Sequence, residues 1–375
     1  MRGNKFFKFV DKYAGFLLLV ILRLISIIPF RSFSKQDKNC LLVVKLSALG
    51  DTILLLPILK KIKKQNPGGK VLMVVTEVNK AAVEGCRYID EIFVLDIKRM
   101  KNPFYFFAFT KKLAENKPYF AFDFDQWLRI SPLICFFSGA AKRIGFKTKG
   151  QHRNFLYTQS VEHAGNKHEL DCFFSIIEKA GYKIKPADKE LFFDIEPAYE
   201  KQAKEKLRQM KIKDRFAVIH PGCGEHGWQR QWDETKYAEI AKYLKKKKYS
   251  VIISAGRSEQ QICEKIITLA GFDIKNITGE PLKVLAAIIK KSKLFISGNT
   301  GIMHLAAAVG ARVIALHGPT NPVKWGPLGK NCFVIRKNLD CSPCLYLGFE
   351  YGCKGRACMD AIETPDVIKI IEKLH

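Results

Sequence analysis

The sequence is poor in acid. Its 375 residues carry 36 Asp plus Glu against 63 Lys plus Arg, a formal net charge of +27, so anionic partners are expected: nucleic acid, acidic lipid headgroups or phosphorylated substrates. Charge does not choose among them. A secreted disulfide framework is also missing. The 11 cysteines are an odd number, and Cys40, Cys86, Cys135, Cys172, Cys223, Cys263 and Cys332 stand singly, which points to a reducing compartment. Low-complexity sequence is absent as well. With 47% hydrophobic and 26% charged residues the chain is neither disordered nor collagenous, and its length suits two domains with a core each.

No uninterrupted apolar run is long enough to span a bilayer comfortably. Residues 14–30 are almost wholly apolar, but Arg23 divides them and Pro29 ends them; a span needs about 20 apolar residues, and a central Arg costs about 3 kcal/mol. No small-residue cleavage site follows in Pro29-Phe30-Arg31-Ser32-Phe33, which disfavours a removable signal peptide. Arg2, Lys5, Lys8, Lys12, Arg31, Lys35 and Lys38 flank the run, as in an interfacial helix drawn to an anionic cytoplasmic leaflet. A helix buried against the first domain and a true span are the alternatives.

From residue 39 short β-rich runs alternate with helical stretches. Leu41-Leu42-Val43-Val44, a helix over 52–64 with Ile53, Leu56, Leu59 and Ile62 on one face, and Val71-Leu72-Met73-Val74-Val75 make a βαβ unit of a parallel sheet. The alternation returns after Asp194-Ile195-Glu196-Pro197, with a helix over 198–210 and strands at 216–219, 251–253, 294–296 and 313–316. The chain therefore reads as α/β: a basic, apolar membrane-associating helix over 1–38, a Rossmann-like domain over 39–195, a second over 196–362, and a final helix over 363–375 packing back across the domains. Lys245-Lys246-Lys247-Lys248 reads as a solvated helix end; without aromatic interleaving, nucleic acid is not an expected partner.

Four strand-to-helix loops carry the chemistry. Lys45-Leu46-Ser47-Ala48-Leu49-Gly50-Asp51-Thr52 places Asp51 where a strand meets a helix N-terminus; the carboxylate is either a general base or only a helix cap. His220-Pro221-Gly222-Cys223-Gly224, with Arg230 and Trp232 after it, offers main-chain amides and a counter-charge to phosphate. Gly256-Arg257-Ser258-Glu259 puts Glu259 where it accepts from a ribose hydroxyl or caps a helix. Ser297-Gly298-Asn299-Thr300-Gly301-Ile302-Met303-His304 opens a helix whose amides at Thr300 and Gly301, with the Thr300 hydroxyl, can bind a pyrophosphate, and His304 lies one turn inside. The stiff turn His317-Gly318-Pro319-Thr320-Asn321-Pro322-Val323-Lys324-Trp325-Gly326-Pro327 is expected to wall the nucleotide pocket.

In combination and in order, Lys-Leu-Ser-Ala-Leu-Gly-Asp, His-Pro-Gly, Asn-Thr-Gly-Ile-Met-His-Leu-Ala-Ala-Ala-Val-Gly and His-Gly-Pro-Thr-Asn-Pro resemble glycosyltransferase family 9, the ADP-heptose:lipopolysaccharide heptosyltransferases, over about residues 40 to 372. The resemblance implies a GT-B fold, two Rossmann-like domains with parallel sheets facing across a cleft, and metal-independent, inverting sugar transfer with no cofactor beyond a nucleotide-sugar donor, ADP-heptose. By position Asp51 resembles the catalytic base, and Gly222, Cys223, Arg230, Glu259, Asn299, Thr300, Gly301 and His304 resemble the nucleotide-sugar site. Three positions depart from the family pattern: Lys45 for Arg, Asn299 for Asp, and Arg230 for Lys.

Lys45, Arg143 and Arg153, with Lys147, Lys149 and His152 near the last two, are candidates to hold an anionic lipid-linked glycan such as a lipopolysaccharide inner core. That acceptor and the N-terminal amphiphile together suggest a cytoplasmic protein peripheral on the inner membrane. Asp123-Phe124-Asp125 falls in the first domain and reads as structural or acceptor-facing rather than metal-binding. Cys341, Cys344, Cys353 and Cys358 have the spacing of a four-thiolate zinc knuckle, although free thiols or a local disulfide is the leading reading and no metal is expected. A transferase or epimerase using a UDP-sugar, and a non-catalytic membrane-surface module, remain the alternative functions.

Overall fold

A computed structural model of the chain describes residues 5–25, 36–224, 227–347 and 353–374. They form two compact units, Met1–Glu190 and Leu191–His375, so the division falls a few residues before the expected 195/196 boundary. The first unit has strands β1 (Asp37–Val44), β2 (Lys70–Val75), β3 (Glu91–Val94), β4 (Pro118–Asp123), β5 (Lys142–Lys147) and β6 (Gln159–Glu162). Its helices are α1 (Lys5–Ile25), α2 (Leu49–Leu54), α3 (Leu56–Gln65), α4 (Pro103–Ala114), α5 (Ile130–Phe137) and α6 (Glu169–Lys179). The second unit has β7 (Phe216–His220), β8 (Ser250–Ile253), β9 (Lys275–Asn276), β10 (Leu294–Gly298), β11 (Val313–Leu316) and β12 (Cys332–Ile335). With them run α7 (Pro197–Gln209), α8 (Glu234–Lys246), α9 (Gln260–Ala270), α10 (Leu282–Lys291), α11 (Gly301–Ala308), α12 (Pro322–Trp325), α13 (Ala357–Asp360) and α14 (Thr364–Lys373).

Each unit contains a six-stranded sheet, ordered β3-β2-β1-β4-β5-β6 and β12-β11-β10-β7-β8-β9. Numbered from its own first strand, the second order is the same as the first, and the strand pairings of both sheets are parallel. Strands of such sheets are covered on both faces and read as continuous apolar runs rather than alternating ones. Accordingly Ala217 and Ile219 join the core under α8, α9 and α14, while Phe216 and Val218 join another under α7, α10 and α11. The chain reverses direction across the sheet between β1 and β4, and between β7 and β10; ligands of doubly wound sheets bind at the strands' carboxyl ends at such a point.

The helix expected over 52–64 is two helices, α2 and α3, because Pro57 near the start of α3 has no N–H to continue the ladder. Its expected apolar face, Ile53, Leu56, Leu59 and Ile62, is buried. At the other terminus Val367 and Ile371 carry α14 into the core beside α8 of its own unit.

Helix α1 lies against α5 and the turn Asn154–Leu156. Asp11 accepts from the amides of Arg129 (2.9 Å) and Ile130 (3.2 Å) at the start of α5, and Leu19 is fully buried. The outer side stays open: Phe9, Tyr13, Leu17 and Leu24 are all more than half exposed. One edge of the helix is thus docked while an apolar stripe faces outward, which combines features of two expected alternatives. Among the described residues no helix is long and apolar enough to cross a membrane. Arg2, Arg31, Lys35 and the end of the apolar run at 26–30 lie outside the described residues.

Candidate functional site

Asp51 sits in the first turn of α2, with its side chain 8% exposed. Ala48 occupies the N-cap position and no side chain caps this helix, so Asp51 is not a capping residue. Its Oδ2 lies 3.2 Å from Lys45 Nζ and accepts from Gln126 Nε2 at 3.2 Å. Lys45, expected to touch the acceptor, is fully buried: Nζ also donates to Gln126 Oε1 (3.0 Å) and the Phe124 carbonyl (3.2 Å) and lies 3.5 Å from Asp125 Oδ1. A buried ammonium needs such partners, and none of its reach is left for a glycan.

Of the other two acceptor candidates, Arg153 is spent in the same way, and Arg143 is half-buried with part of its guanidinium engaged. Arg153 is fully buried, and its guanidinium donates to Asp123 Oδ2 (2.7 Å), Ser131 Oγ (2.6 Å) and the carbonyls of Leu128 and Asp125. Arg143 donates to the carbonyls of Leu156 and Ala140, both at 2.7 Å. Both guanidiniums hold the first unit's own loops together. Asp123 also accepts from the Tyr157 hydroxyl at 2.5 Å, and Asp125 Oδ2 accepts from the Leu46 amide at 2.8 Å. The Asp-Phe-Asp pair is therefore structural. Burial pushes the Asp125 carboxyl up to about 6, opposed by Lys45 and reinforced by Asp123.

In the second unit the loop after β7 is tied to Glu259. The Glu259 carboxylate accepts from the amides of Gly224 (2.8 Å) and Gly256 (3.3 Å), and a Cβ on Gly222 would stand 2.2 Å from its Oε2. Only glycine fits there. Arg230 reaches across two loops, donating to the carbonyls of Cys223 (2.9 Å) and Asn299 (3.0 Å), while its Nε is buried without a partner. Cys223 donates toward the Arg230 carbonyl at 3.3 Å, and burial pushes its thiol up to about 12. It is a neutral packing group.

Thr300 is the N-cap of α11; its hydroxyl oxygen accepts from the amides of Ile302 and Met303, which fixes the oxygen at the helix start and leaves its O–H proton to donate. Asn299 donates to the Trp325 carbonyl at 2.9 Å and lies 3.5 Å from His317 Nε2. An Asp here would set a carboxylate against a carbonyl oxygen, which gives the departure at 299 a physical reason. His304 is buried one turn inside α11. Burial, with the nearby His304, lowers His317 to about 3, and burial lowers His220 to about 4. Both imidazoles are neutral at physiological pH.

The family model described as glycosyltransferase family 9 (heptosyltransferase) matches residues 106–353, more than half of the chain. This chain belongs to that family. Lipooligosaccharide heptosyltransferase 2 of Campylobacter jejuni is 27% identical over 44% of this chain, and the chain spans about half, 53%, of that relative's length. The lipopolysaccharide core heptosyltransferase OpsX of Haemophilus influenzae is 25% identical over 91% of this chain and 98% of its own. Among solved structures, E. coli heptosyltransferase WaaC with ADP superposes with a TM-score of 0.69 at 20% identity, covering 90% of this chain and 100% of that one. The fold of this family 9 protein is accordingly that of the GT-B glycosyltransferases.

The sequence reading of the family 9 site missed Gln126, Glu169 and His163. Gln126 Nε2 donates to Glu169 Oε1 at 2.9 Å as well as to Asp51, and His163 Nε2 lies 3.0 Å from Glu169 Oε2. Gln126 is 75 residues from Asp51 and 43 from Glu169, and no local pattern marks that grouping. His163, Glu169 and Cys172 also place one ligand atom each within 4.8 Å of one another. Among the described residues Cys341, Cys344, Cys353 and Cys358 are not so gathered, and they, like the other seven cysteines, are free thiols, the first of the two leading readings of this stretch. Cys358 is buried, and its thiol is pushed up by desolvation and by the other three thiols.

Proposed function

We propose that this protein transfers heptose from ADP-heptose to a lipopolysaccharide inner-core or related anionic glycan, with inversion and without a metal ion. The observation that carries the reading is Asp51: a nearly buried carboxylate at the carboxyl end of a central strand, held by Lys45 and Gln126 and retaining a small exposed area. As general base it takes the proton of the acceptor hydroxyl, which attacks the anomeric carbon opposite the departing diphosphate. The charge growing on ADP is met by the amides of Thr300 and Gly301 at the start of α11 and by the Arg230 guanidinium. Gly222, Cys223 and Glu259 shape the nucleotide loop, and His304, buried one turn inside α11, completes the assigned set. Family membership supports the chemistry, and the ADP complex of WaaC and the core-heptosyltransferase name of OpsX support the donor and acceptor.

The reading extends to place. The open stripe of α1, with exposed Lys12 and Arg23 beside its apolar side chains, suits a helix lying in an anionic lipid interface, peripheral on the cytoplasmic face of the inner membrane where a lipid-linked acceptor is presented.

The decisive experiment follows ADP release from ADP-heptose with lipopolysaccharide lacking its inner-core heptoses, with and without EDTA. Turnover insensitive to EDTA is expected. Turnover only with a UDP-sugar would overturn the donor, and loss of turnover in EDTA would overturn metal independence.

A further inference from the structure

The groups around Asp51 form one connected hydrogen-bonded chain that runs inward from the base. Lys45 Nζ touches Asp51 Oδ2 (3.2 Å) and donates to Gln126 Oε1 (3.0 Å); Gln126 Nε2 donates to both Asp51 Oδ2 (3.2 Å) and Glu169 Oε1 (2.9 Å); Glu169 pairs with His163 Nε2 (3.0 Å). These residues come from the end of β1, α2, the segment after β4, α6, and the segment after β6. Lys45, Gln126, His163 and Glu169 are all buried. A single amide thus bridges two carboxylates, an arrangement with an electrostatic consequence: whatever charge Glu169 carries is felt at Asp51 across one side chain in a low-dielectric interior.

We propose that Gln126 and Glu169 are positioning residues for the sugar-transfer reaction, with Gln126 fixing the orientation of the Asp51 carboxylate and Glu169, anchored by His163, setting its basicity through that bridge.

The inference rests on the reading of Asp51 as base. Gln126 also spends its carbonyl on Lys45, so its amide cannot turn over without losing both contacts. Lys45 and Asp125 lie on the β1 and β4 sides, and Asp125 is itself held by the Leu46 amide. Asp123 lies behind, neutralised by Arg153. From the turn packed on α2, Asn79 donates to Thr52 Oγ1, and Lys80 pairs with Glu84 at the surface. Lys45 also stands between Asp51 and Asp125, as an ion pair at 3.2 and 3.5 Å, whereas Gln126 is the neutral bridge that donates to both Asp51 and Glu169 and so carries the influence of Glu169 to the base.

The test is a pair of isosteric substitutions read as pH–rate profiles of ADP release from ADP-heptose with the heptose-deficient lipopolysaccharide acceptor. Gln126→Glu adds a negative charge beside Asp51 and is expected to move the acidic limb of kcat/KM up by more than half a pH unit and lower kcat about tenfold. Glu169→Gln removes a negative charge at the far side of the bridge and is expected to move the same limb down. The KM for ADP-heptose should stay within twofold for both. Opposite shifts with the donor KM unchanged are not what a general loosening of the fold produces. Two unmoved limbs, alongside an inactive Asp51→Asn control, would overturn the positioning roles and leave the base assignment standing. An active Asp51→Asn control would instead overturn the base assignment and the inference with it.

Discussion

At the carboxyl end of its central strands the first unit buries Lys45, Asp51, Asp123, Asp125, Arg153 and Glu169, whereas the second, on the same strand order, presents glycines, a capped helix start and two neutral histidines. In the proposed reaction the first unit gathers formal charge where the proton is taken, while the second meets the diphosphate with backbone dipoles and the single Arg230 guanidinium. The difference teaches why one topology serves both jobs. A base must be oriented by side chains that approach from several elements, while an anion site at a helix end needs only amides that the backbone already aims.

The largest effect expected from breaking this division is on catalysis. Asp51→Asn keeps the shape of the side chain but removes the base, and transfer measured as ADP release should fall by about 10²- to 10⁴-fold, while ADP still raises the melting temperature through the second unit. Next comes stability of the charged unit. Arg153→Met leaves Asp123 and its neighbours buried without their cation, at a cost of about 3–5 kcal/mol; denaturant unfolding followed by hydrogen exchange should show the first unit opening earlier and the second unchanged.

Asn299→Asp should cost less, about 1–3 kcal/mol, because it replaces the donor to the Trp325 carbonyl with a carboxylate. It is expected to loosen the turn at 317–327, seen as faster amide exchange there. The smallest effect is on pH dependence, and its sign separates the units. His220 and His317 titrate lower in the fold than in the unfolded chain, so the unfolded state binds more protons: their stabilisation is complete above about 6.5 and is lost as pH falls toward 4. Asp125 has the opposite sense. Raised to about 6, it favours the fold below its ordinary value and loses that contribution as pH rises toward 6. Melting scans of His317→Gln should show a shallower loss of second-unit stability on acidification.

Much of the fold was legible because parallel strands and amphipathic helices write themselves in local patterns. The runs at 41–44 and 71–75 lie in β1 and β2, and the helix read at 198–210 differs from α7 by one residue at each end. The glycines and Thr300 were legible as loop chemistry for the same reason. Lys45 and Arg153 look solvent-seeking in sequence; only the arrival of Asp125, Asp123 and backbone carbonyls from distant segments makes their burial tolerable.

The sequence alone determined the α/β alternation, the loops after the strands and the position of Asp51, since each depends on residues adjacent in the chain or one helical turn apart. The tertiary structure decided what Asp51 touches and which cations are spent inside. Those contacts join residues separated by as many as 75 to 81 positions, and hydrogen bonds at that separation exist only once β1, β4 and α6 have packed.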